Sequence, residues 1–172
     1  MSDLQFKKSV FDKLILYSQK ALEHNEVPIS CCFVDRKTNE ILYTHFNLTN
    51  KLKNGTKHCE MLCIEQAVKD KLDYANIDVY VTVEPCLMCG YALQLLNINK
   101  AYYIAPNAKF GGIESLYNLK LNCEKLDYRT KDVIKQLQDF YNIGNPSLEP
   151  HKRHRFKKET ADQKGIKKIK LE

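Results

Sequence analysis

Two short polar clusters, each at the start of an apolar segment, constrain the fold of this chain more than any other feature. His58 and Glu60 begin the segment HCEMLCIEQAVKDKL, and Cys86 and Cys89 begin the apolar part of EPCLMCGYALQLL. Both segments have apolar residues at helical spacing, which predicts two buried helices. His58 and Glu60 are two residues apart, so both can reach one point only if that point lies beyond the helix end. The fold must therefore bring two helix N-termini together around a shared target.

The residue types and their spacing indicate a catalytic zinc site at that target. Cys86 and Cys89 are three residues apart and share one face of a helix, with Pro85 expected as the first helical residue. A helix N-terminus lowers the pKa of a cysteine and favours the thiolate, which is the form that binds metal. With His58, the two cysteines make three ligands suited to zinc, and a three-ligand site keeps a fourth position for water. Glu60 is then free to move protons.

A closed structural zinc site, with Cys59 or Cys63 as the fourth ligand, is the alternative. It is disfavoured because a closed site needs no adjacent carboxylate such as Glu60. Cys59 and Cys63 are instead expected in the core or in the wall of a pocket. The remaining cysteines lie in strand-like segments and are expected to be inert small hydrophobic residues: Cys31, Cys32 and Cys123. An odd count of seven cysteines in a chain without a secretion pattern predicts no structural disulfide.

The alternation of helix and strand patterns predicts an α/β fold. Apolar residues at helical spacing predict helices at about 4–25, 85–96 and 129–141, and another that starts at 58. Short runs rich in β-forming residues predict strands at about 27–34, 40–46, 78–83, 101–105 and 121–127. The first of these, VPISCCFV, is almost entirely apolar, as in strands that are covered on both faces. The expected architecture is a three-layer α/β/α sandwich with a mixed sheet of about five strands.

The net charge lies entirely in the C-terminal segment. Residues 151–172 contain nine Lys and Arg against three acidic residues, which accounts for the +6 of the whole chain, so residues 1–150 are neutral. We therefore predict one domain over 1–150 and a basic tail over 151–172. A basic tail on a neutral domain favours a polyanionic partner, first nucleic acid and second an anionic membrane surface. The candidate contacts in the tail are Lys152, Arg153, Arg155, Lys157 and Lys158.

The sequence gives little support to a membrane association. It has no apolar stretch long enough to span a bilayer, and its first residues lack the pattern of a signal peptide. The tail offers few apolar residues as an anchor: Phe156, Ile166, Ile169 and Leu171. The protein is therefore expected to be intracellular, in the nucleus, the cytoplasm or both, and not bound to a membrane.

The combination of H-x-E at 58–60 with P-C-x-x-C at 85–89 resembles the signature of zinc-dependent nucleobase deaminases. Over residues 6–143 the chain also resembles the catalytic subunit of the eukaryotic tRNA-specific adenosine deaminases. The segments that carry this resemblance are VPISCCFV, NLTNKLKNGTKHCE, YVTVEPCLMCGYALQLLNI and NAKFGGIESLYN. The resemblance implies a fold of the cytidine-deaminase type and the conversion of adenosine to inosine at the wobble position of the tRNA anticodon.

The resemblance also implies residue roles and partners. Glu60 would be the proton shuttle and Asn47 would contact the flipped nucleotide, whereas the loop sequence alone predicts only that Asn47 satisfies its own backbone. Zn²⁺ would be held by three residues: His58, Cys86 and Cys89. The basic tail would bind tRNA, and the chain would form a heterodimer with a related, catalytically silent deaminase subunit. Two positions depart from the family, Cys59 where Ala is usual and Glu114 where Gly is usual.

Two other classes of function stay open at this point. A deaminase of free cytosine, cytidine or nucleotide would use the same zinc site but would have no use for a basic tail. A tRNA-binding scaffold with a degenerate site would not need the complete set of His, Glu and two Cys. An assay for inosine in an anticodon stem-loop, compared with free cytidine and adenosine, separates the three classes.

Overall fold

The computed structural model describes residues 2–115, 118–144 and 149, and the structural statements below concern these residues. Their helices are α1 (Asp3–Glu23), α2 (Cys59–Lys69), α3 (Leu87–Leu95) and α4 (Thr130–Ile143), and their strands are β1 (Ser30–Asp35), β2 (Glu40–Phe46), β3 (Ile77–Val83), β4 (Lys100–Ala105) and β5 (Cys123–Lys125). A short 3₁₀ helix, Tyr74–Asn76, precedes β3. In the described part, none of the helices has the length and apolar character to cross a membrane. The predicted boundary at residue 150 and the tail over 151–172 lie outside the described residues.

The strands form one mixed sheet in the order β2-β1-β3-β4-β5. β1 is antiparallel to both β2 and β3, whereas β3, β4 and β5 are parallel to one another. β2 and β3 therefore run in the same direction with β1 between them, and α2 is the crossover that joins them. In the same way α3 joins β3 to β4. The predicted mixed sheet of about five strands is confirmed.

Each face of the sheet is covered by two helices. Side chains of α2 and α3 pack in the hydrophobic cluster that contains Cys31 and Phe33 of β1. Side chains of α1 and α4 pack in a second cluster, which contains Cys32 and Val34. Because successive residues of a strand point to opposite faces, the apolar run of β1 reflects burial on both sides. The predicted three-layer sandwich is confirmed, and it places α2 and α3 side by side on one face.

Two strands are shorter than the sequence predicted. β1 begins at Ser30 instead of 27, because Ile29 N donates to the carbonyl of Val27 at 2.7 Å and turns the chain before the strand. β5 has three residues of the predicted seven, Cys123–Lys125, and pairs only with β4. The positions of the elements along the chain agree with the prediction.

The start of α3 differs from the prediction in a way that concerns the site. Pro85 is not the first helical residue, because Cys86 is the N-cap in an extended conformation (φ −67°, ψ 167°) and α3 begins at Leu87. Pro85 precedes the cap, and its carbonyl accepts a hydrogen bond from Gly112 N at 2.9 Å. His58 is likewise the N-cap of α2, with φ −71° and ψ 155°. Because both caps are extended, the side chains of His58 and Cys86 can point beyond the helix ends instead of along a helix face.

Candidate active site

The predicted meeting of two helix N-termini is present. His58 caps α2 and Cys86 caps α3, and neither side chain is used in a capping hydrogen bond. Cys89 lies in the first turn of α3 and is fully buried. Because the two helices cover the same face of the sheet, the imidazole and the two thiols converge between the helix ends. The structure thus brings together the three predicted zinc ligands.

The geometry of this cluster fits a zinc ion. His58 Nδ1 lies 3.6 Å from the Sγ atoms of both Cys86 and Cys89. Zinc in a tetrahedral site has bonds of about 2.0–2.1 Å to nitrogen and about 2.3 Å to sulfur, which separates its nitrogen and sulfur ligands by about 3.5 Å. Among the described residues, these three form a group whose ligand atoms all lie within 4.8 Å of one another. One borderline nitrogen and two soft sulfur ligands are also the donor set that zinc prefers.

Hydrogen bonds within the cluster already favour one thiolate. Cys86 accepts hydrogen bonds from the thiol of Cys89 and from His58, which lower its pKa to about 4 against the effect of burial. The hydrogen bond to Cys86 raises the pKa of His58, and the same cysteine raises the pKa of Cys89 well above its usual value. Binding of a dication at this cluster therefore has to displace the proton of the Cys89 thiol.

Glu60 lies at the same helix end, and its carboxyl group is buried. It is the second residue of α2, and only 3% of its surface is exposed. Burial raises its pKa, and the negative charge of Cys86 raises it further. The thiol of Cys59, which is also buried, donates to Glu60 Oε2 at 3.2 Å. A buried carboxyl group beside the metal cluster, with its pKa raised, is a candidate for proton transfer.

Asn47 connects the loop after β2 to the start of α2. Its side chain is 3% exposed, and its Oδ1 accepts a hydrogen bond from Cys59 N at 2.9 Å. Cys59 N is one of the first backbone N–H groups of α2, which have no partner within the helix. Asn47 therefore satisfies a helix end twelve residues away in the chain, rather than its own backbone. Oδ1 is used by Cys59 N, and the Nδ2 group of Asn47 is the donor that its side chain can offer in the cavity that it lines.

A cavity of about 1020 Å³ opens above the cluster. His58, Glu60, Cys86 and Asn47 lie in its wall. The rest of the wall comes from the segment before β1, the loop after β2, the end of β3, the start of α3, the loop after β4 and α4. Its residues are Val27, Ile29, Thr49, Gly55, Val83, Glu84, Leu87, Met88, Pro106, Asn107, Ala108, Lys109, Phe110, Leu137 and Tyr141. The volume is ample for a nucleobase with its ribose.

Two buried glutamates that the sequence interpretation missed hold the loops at the cavity. Glu84 follows β3 and accepts hydrogen bonds from backbone N–H groups between Asn107 and Ser115. Burial raises its pKa, but these hydrogen bonds outweigh it, and the pKa lies below the usual range. Glu26 accepts hydrogen bonds from Asn50 N at 3.0 Å and from Lys51 N at 2.7 Å in the other loop. The sequence held a signal for Glu84, because a glutamate directly after an apolar strand suggests a buried carboxylate, but it held none for Glu26.

The two departures from the family pattern have different locations. Cys59 contacts Glu60 from the core side, as described above. Glu114 is exposed, does not belong to the cavity wall, and contributes its backbone N–H to Glu84. The predicted contacts in the tail lie outside the described residues: Lys152, Arg153, Arg155, Lys157 and Lys158.

Comparison with protein families and relatives gives a consistent result. Residues 4–105 match the family model described as the cytidine and deoxycytidylate deaminase zinc-binding region. The tRNA-specific adenosine deaminase 2 of Xenopus laevis is 34% identical over 168 residues, which covers 86% of this chain and 94% of that protein. The tRNA-specific adenosine deaminase of Aquifex aeolicus is 38% identical over 127 residues, 72% of this chain and 82% of that protein. The tRNA-specific adenosine deaminase subunit tad2 of Schizosaccharomyces pombe is 36% identical over 104 residues, 59% of this chain and 26% of that protein.

Solved structures agree on the fold. A structure from a study of A-to-I editing by tRNA:A34 deaminases at the wobble position of transfer RNA matches with a TM-score of 0.67 and 26% identity, over 75% of this chain and 99% of that chain. The structure of NE0047 in complex with 2,6-diaminopurine matches with a TM-score of 0.69 over 83% of this chain and 85% of that chain, but its 12% identity shows a shared fold alone. The predicted cytidine-deaminase type of fold and the predicted zinc cofactor are confirmed. This chain belongs to the zinc-dependent cytidine and deoxycytidylate deaminase family, together with the tRNA-specific adenosine deaminases.

Proposed function

We propose that the chain is the catalytic subunit of a tRNA adenosine deaminase, which hydrolyses adenosine to inosine at the wobble position of the anticodon. The observation that carries the proposal is the convergence of His58, Cys86 and Cys89 beside the buried Glu60 at the base of an open cavity. The relatives named above, which are tRNA-specific adenosine deaminases, give the substrate class. In the net reaction a C6–O bond forms, the C6–N bond breaks, and ammonia leaves.

Each residue of the site has a distinct task in this reaction. His58, Cys86 and Cys89 would hold a zinc ion, which when bound would supply a water molecule with a pKa lowered toward ~7 as the nucleophile. Glu60 accepts the proton of the attacking water and then delivers protons to the purine ring and to the departing amino group. Its burial, which raises its pKa, makes the second half of this cycle feasible. Asn47 donates from Nδ2 to the nucleotide in the cavity.

The target adenosine must leave its stack before it can enter this cavity. A base in a single-stranded anticodon loop is already unpaired, so the free-energy cost of turning it outward is small. The low free-energy cost favours an adenosine in a single-stranded loop over an adenosine in a base-paired helix as the substrate.

We infer that α3 binds a homologous, catalytically silent deaminase subunit. Two large apolar side chains of α3 are exposed one helical turn apart, Tyr91 at 51% and Leu95 at 64%, whereas the partly exposed Leu87 and Met88 belong to the cavity wall. An exposed apolar helix face of this kind marks a protein interface. A relative whose name includes the word subunit supports a complex. Because α3 also carries Cys86 and Cys89, a partner on its outer face would steady the metal site.

The position of α4 supports a role of the basic tail in tRNA binding. Tyr141 of α4 lies in the cavity wall, and the helix ends at Gly144. Lys152 follows Gly144 by eight residues, and a chain of that length spans at most roughly 28 Å. A linker of that length lets the first cations of the tail reach phosphates of an RNA whose target nucleotide is bound in the cavity.

The test is an assay for inosine. The full chain, expressed alone and with its partner subunit, is incubated with an anticodon stem-loop that has adenosine at the wobble position, and separately with free adenosine and cytidine. We expect inosine in the stem-loop only, with higher activity in the presence of the partner. Deamination of free cytidine without deamination of the stem-loop would overturn the proposal in favour of a small-molecule deaminase.

A further inference from the structure

We propose that Glu84 is a positioning residue for RNA binding, which acts through the loop over residues 107–115, here called the rim loop. Its carboxylate holds this loop in the conformation that places Lys109 and Phe110 at the mouth of the cavity. The proposal rests on the proposed function, because it takes the substrate to be a single-stranded RNA segment. It adds a residue whose side chain is not needed for the chemistry itself.

The contacts of Glu84 show how closely the rim loop follows this carboxylate. The side chain is 2% exposed and forms no salt bridge within the described residues. Oε1 accepts hydrogen bonds from Ile113 N at 3.1 Å, from Glu114 N at 2.8 Å and from Ser115 N at 3.1 Å. Oε2 accepts from Asn107 N at 3.1 Å and from the hydroxyl of Ser115. Five donors from one loop replace the water that a carboxylate would otherwise bind.

Gly111 shows that the loop has closed fully around the carboxylate. A Cβ atom at this position would lie 2.5 Å from Glu84 Oε1, closer than any side-chain carbon can approach. The same part of the loop is fixed to the start of α3, because Leu87 N donates to the carbonyl of Phe110 at 3.0 Å and Gly112 N donates to that of Pro85 at 2.9 Å. The rim loop therefore has a defined position relative to the metal ligands.

The rim loop presents two side chains suited to single-stranded RNA. Phe110 is 64% exposed although it belongs to the cavity wall, and Lys109 beside it is exposed as well. Within the described part of the chain, Lys109 takes part in no salt bridge. An exposed aromatic ring provides a stacking surface for an unpaired base, and a neighbouring cation can contact the phosphate of the same nucleotide. We assign to this pair the nucleotide next to the target adenosine.

Binding and chemistry depend on different parts of the structure. Glu60 and His58 are held at the start of α2, which has no hydrogen bond to Glu84 among those described. The start of α3, with Cys86 and Cys89, is joined to the rim loop by backbone hydrogen bonds of Leu87 and Gly112, which do not use the carboxylate of Glu84. Loss of the carboxylate should therefore weaken RNA binding while it leaves the reaction of bound RNA largely unchanged. A residue with a merely structural role would lower the zinc content, kcat and stability together.

The substitution Glu84→Gln is a sharp test because all five partners of the carboxylate are positioned as donors. In either orientation, a glutamine places its NH₂ group against at least one backbone N–H, that of Asn107 or those of Ile113, Glu114 and Ser115. Glu124→Gln is the matched control, because Glu124 lies on β5 and its partners are the side chains of Lys7 and Lys100. Both variants are made in the full chain and expressed with the partner subunit.

We expect Glu84→Gln to raise the KM and the Kd for the anticodon stem-loop roughly tenfold, which is at the lower end of the effect of losing one stacked base. kcat should change less than about threefold, and zinc should stay at about one per chain. Amide hydrogen exchange of Ile113, Glu114 and Ser115 should accelerate, because their shared acceptor is lost. Glu124→Gln should leave all of these quantities unchanged. An unchanged Kd, or a loss of zinc and kcat in proportion, would overturn the proposal.

A double-mutant cycle tests whether Glu84 acts through the rim loop. Phe110→Ala and Lys109→Ala are combined with Glu84→Gln, and the Kd for the stem-loop is measured for each variant. If Glu84 only positions these side chains, their removal has little further effect in the Glu84→Gln background. Fully additive effects would contradict the proposal. If the unaltered chain binds the stem-loop but forms no inosine, the proposed function fails while the Kd values still decide the role of Glu84; if it does not bind, both fail.

Discussion

Asn47 has two separable tasks in this structure, and one pair of substitutions distinguishes them. Its Oδ1 accepts the hydrogen bond of Cys59 N, and its Nδ2 is the donor assigned to the nucleotide. Asn47→Ala removes both groups. Asn47→Asp keeps an oxygen for Cys59 N and adds a negative charge at a helix N-terminus, where it is favourable, but it has no donor. The two tasks therefore predict different patterns in the two variants.

The expected loss of stability in Asn47→Ala follows from the burial of the hydrogen bond. Cys59 N is buried with its residue and would lose its partner, which costs about 1–2 kcal/mol of the free energy of unfolding. For a domain of this size, each kcal/mol shifts the Tm by roughly 2–4 °C. We therefore expect a fall in Tm of roughly 2–8 °C for Asn47→Ala, and little change for Asn47→Asp.

Activity gives the complementary result. Both variants should raise the KM for the stem-loop, because both lack the Nδ2 donor, and Asn47→Asp should do so with normal Tm and normal zinc content. Asn50→Ala is the control, since Asn50 belongs to the same loop but its side chain donates to Asn25 O at 2.7 Å outside the cavity wall. If Asn47→Asp has the KM of the unaltered chain, the assignment of a nucleotide contact to Asn47 is wrong and only its role at the start of α2 stands.

The other predictions concern the metal, the interface and the tail. Glu60→Ala should keep about one zinc per chain and abolish deamination, whereas Cys86→Ala should lose zinc and stability, as metal analysis and thermal unfolding would show. In the zinc-free chain, Cys86 should react with iodoacetamide faster than the other cysteines even at about pH 6. The reason is that its pKa of about 4 keeps it a reactive thiolate until the pH falls through that value. Equal reaction rates for all seven cysteines would contradict this. Tyr91→Lys with Leu95→Lys should separate the two subunits in size-exclusion chromatography. Deletion of the residues after Pro150 should reduce the slope of log affinity for tRNA against log salt concentration by roughly 3 units, if about four cations contact phosphates. An unchanged slope would show that the tail does not contact the tRNA.

The sequence predicted the metal cluster well because its information is local. His58 with Glu60, and Cys86 with Cys89, are pairs within one helical turn, and helix starts following a loop or strand are visible in the apolar pattern. The error over Pro85 has a local cause as well. Proline favours the first helical position in general, but here Cys86 must take the extended cap so that its side chain can reach His58. This contact between residues 28 positions apart, which no propensity contains, accompanies a helix start two residues later than predicted. The roles of Glu60 and Asn47 stay predictions until the variants are measured.

The sequence could not predict the order of the sheet or the loop contacts, because both depend on distant segments. A hairpin pattern shows that β1 pairs with β2, but it does not show that β3 joins the free edge of β1 in antiparallel orientation. The donors to Glu84 lie between 23 and 31 residues further along the chain, and most are backbone N–H groups. Backbone donors leave no residue pattern, so the position of Glu84 after an apolar strand suggests burial but does not show which groups its carboxylate binds. Only the glycine at 111 hints at the close approach.

The buried carboxylates of Glu26 and Glu84 explain how a fixed metal site and a cavity lined by loops can lie next to each other. The groups that perform the chemistry sit at helix starts, where the helix hydrogen bonds and the core fix them. The cavity mouth is made of loops, which would be mobile without further contacts. Glu26 and Glu84, each at a fixed position beside the sheet, supply acceptors for the backbone of one loop apiece. Under the proposed function, sequence changes at exposed loop positions, such as Lys109 and Phe110, can then alter which RNA is bound without replacing any of the residues that would hold zinc.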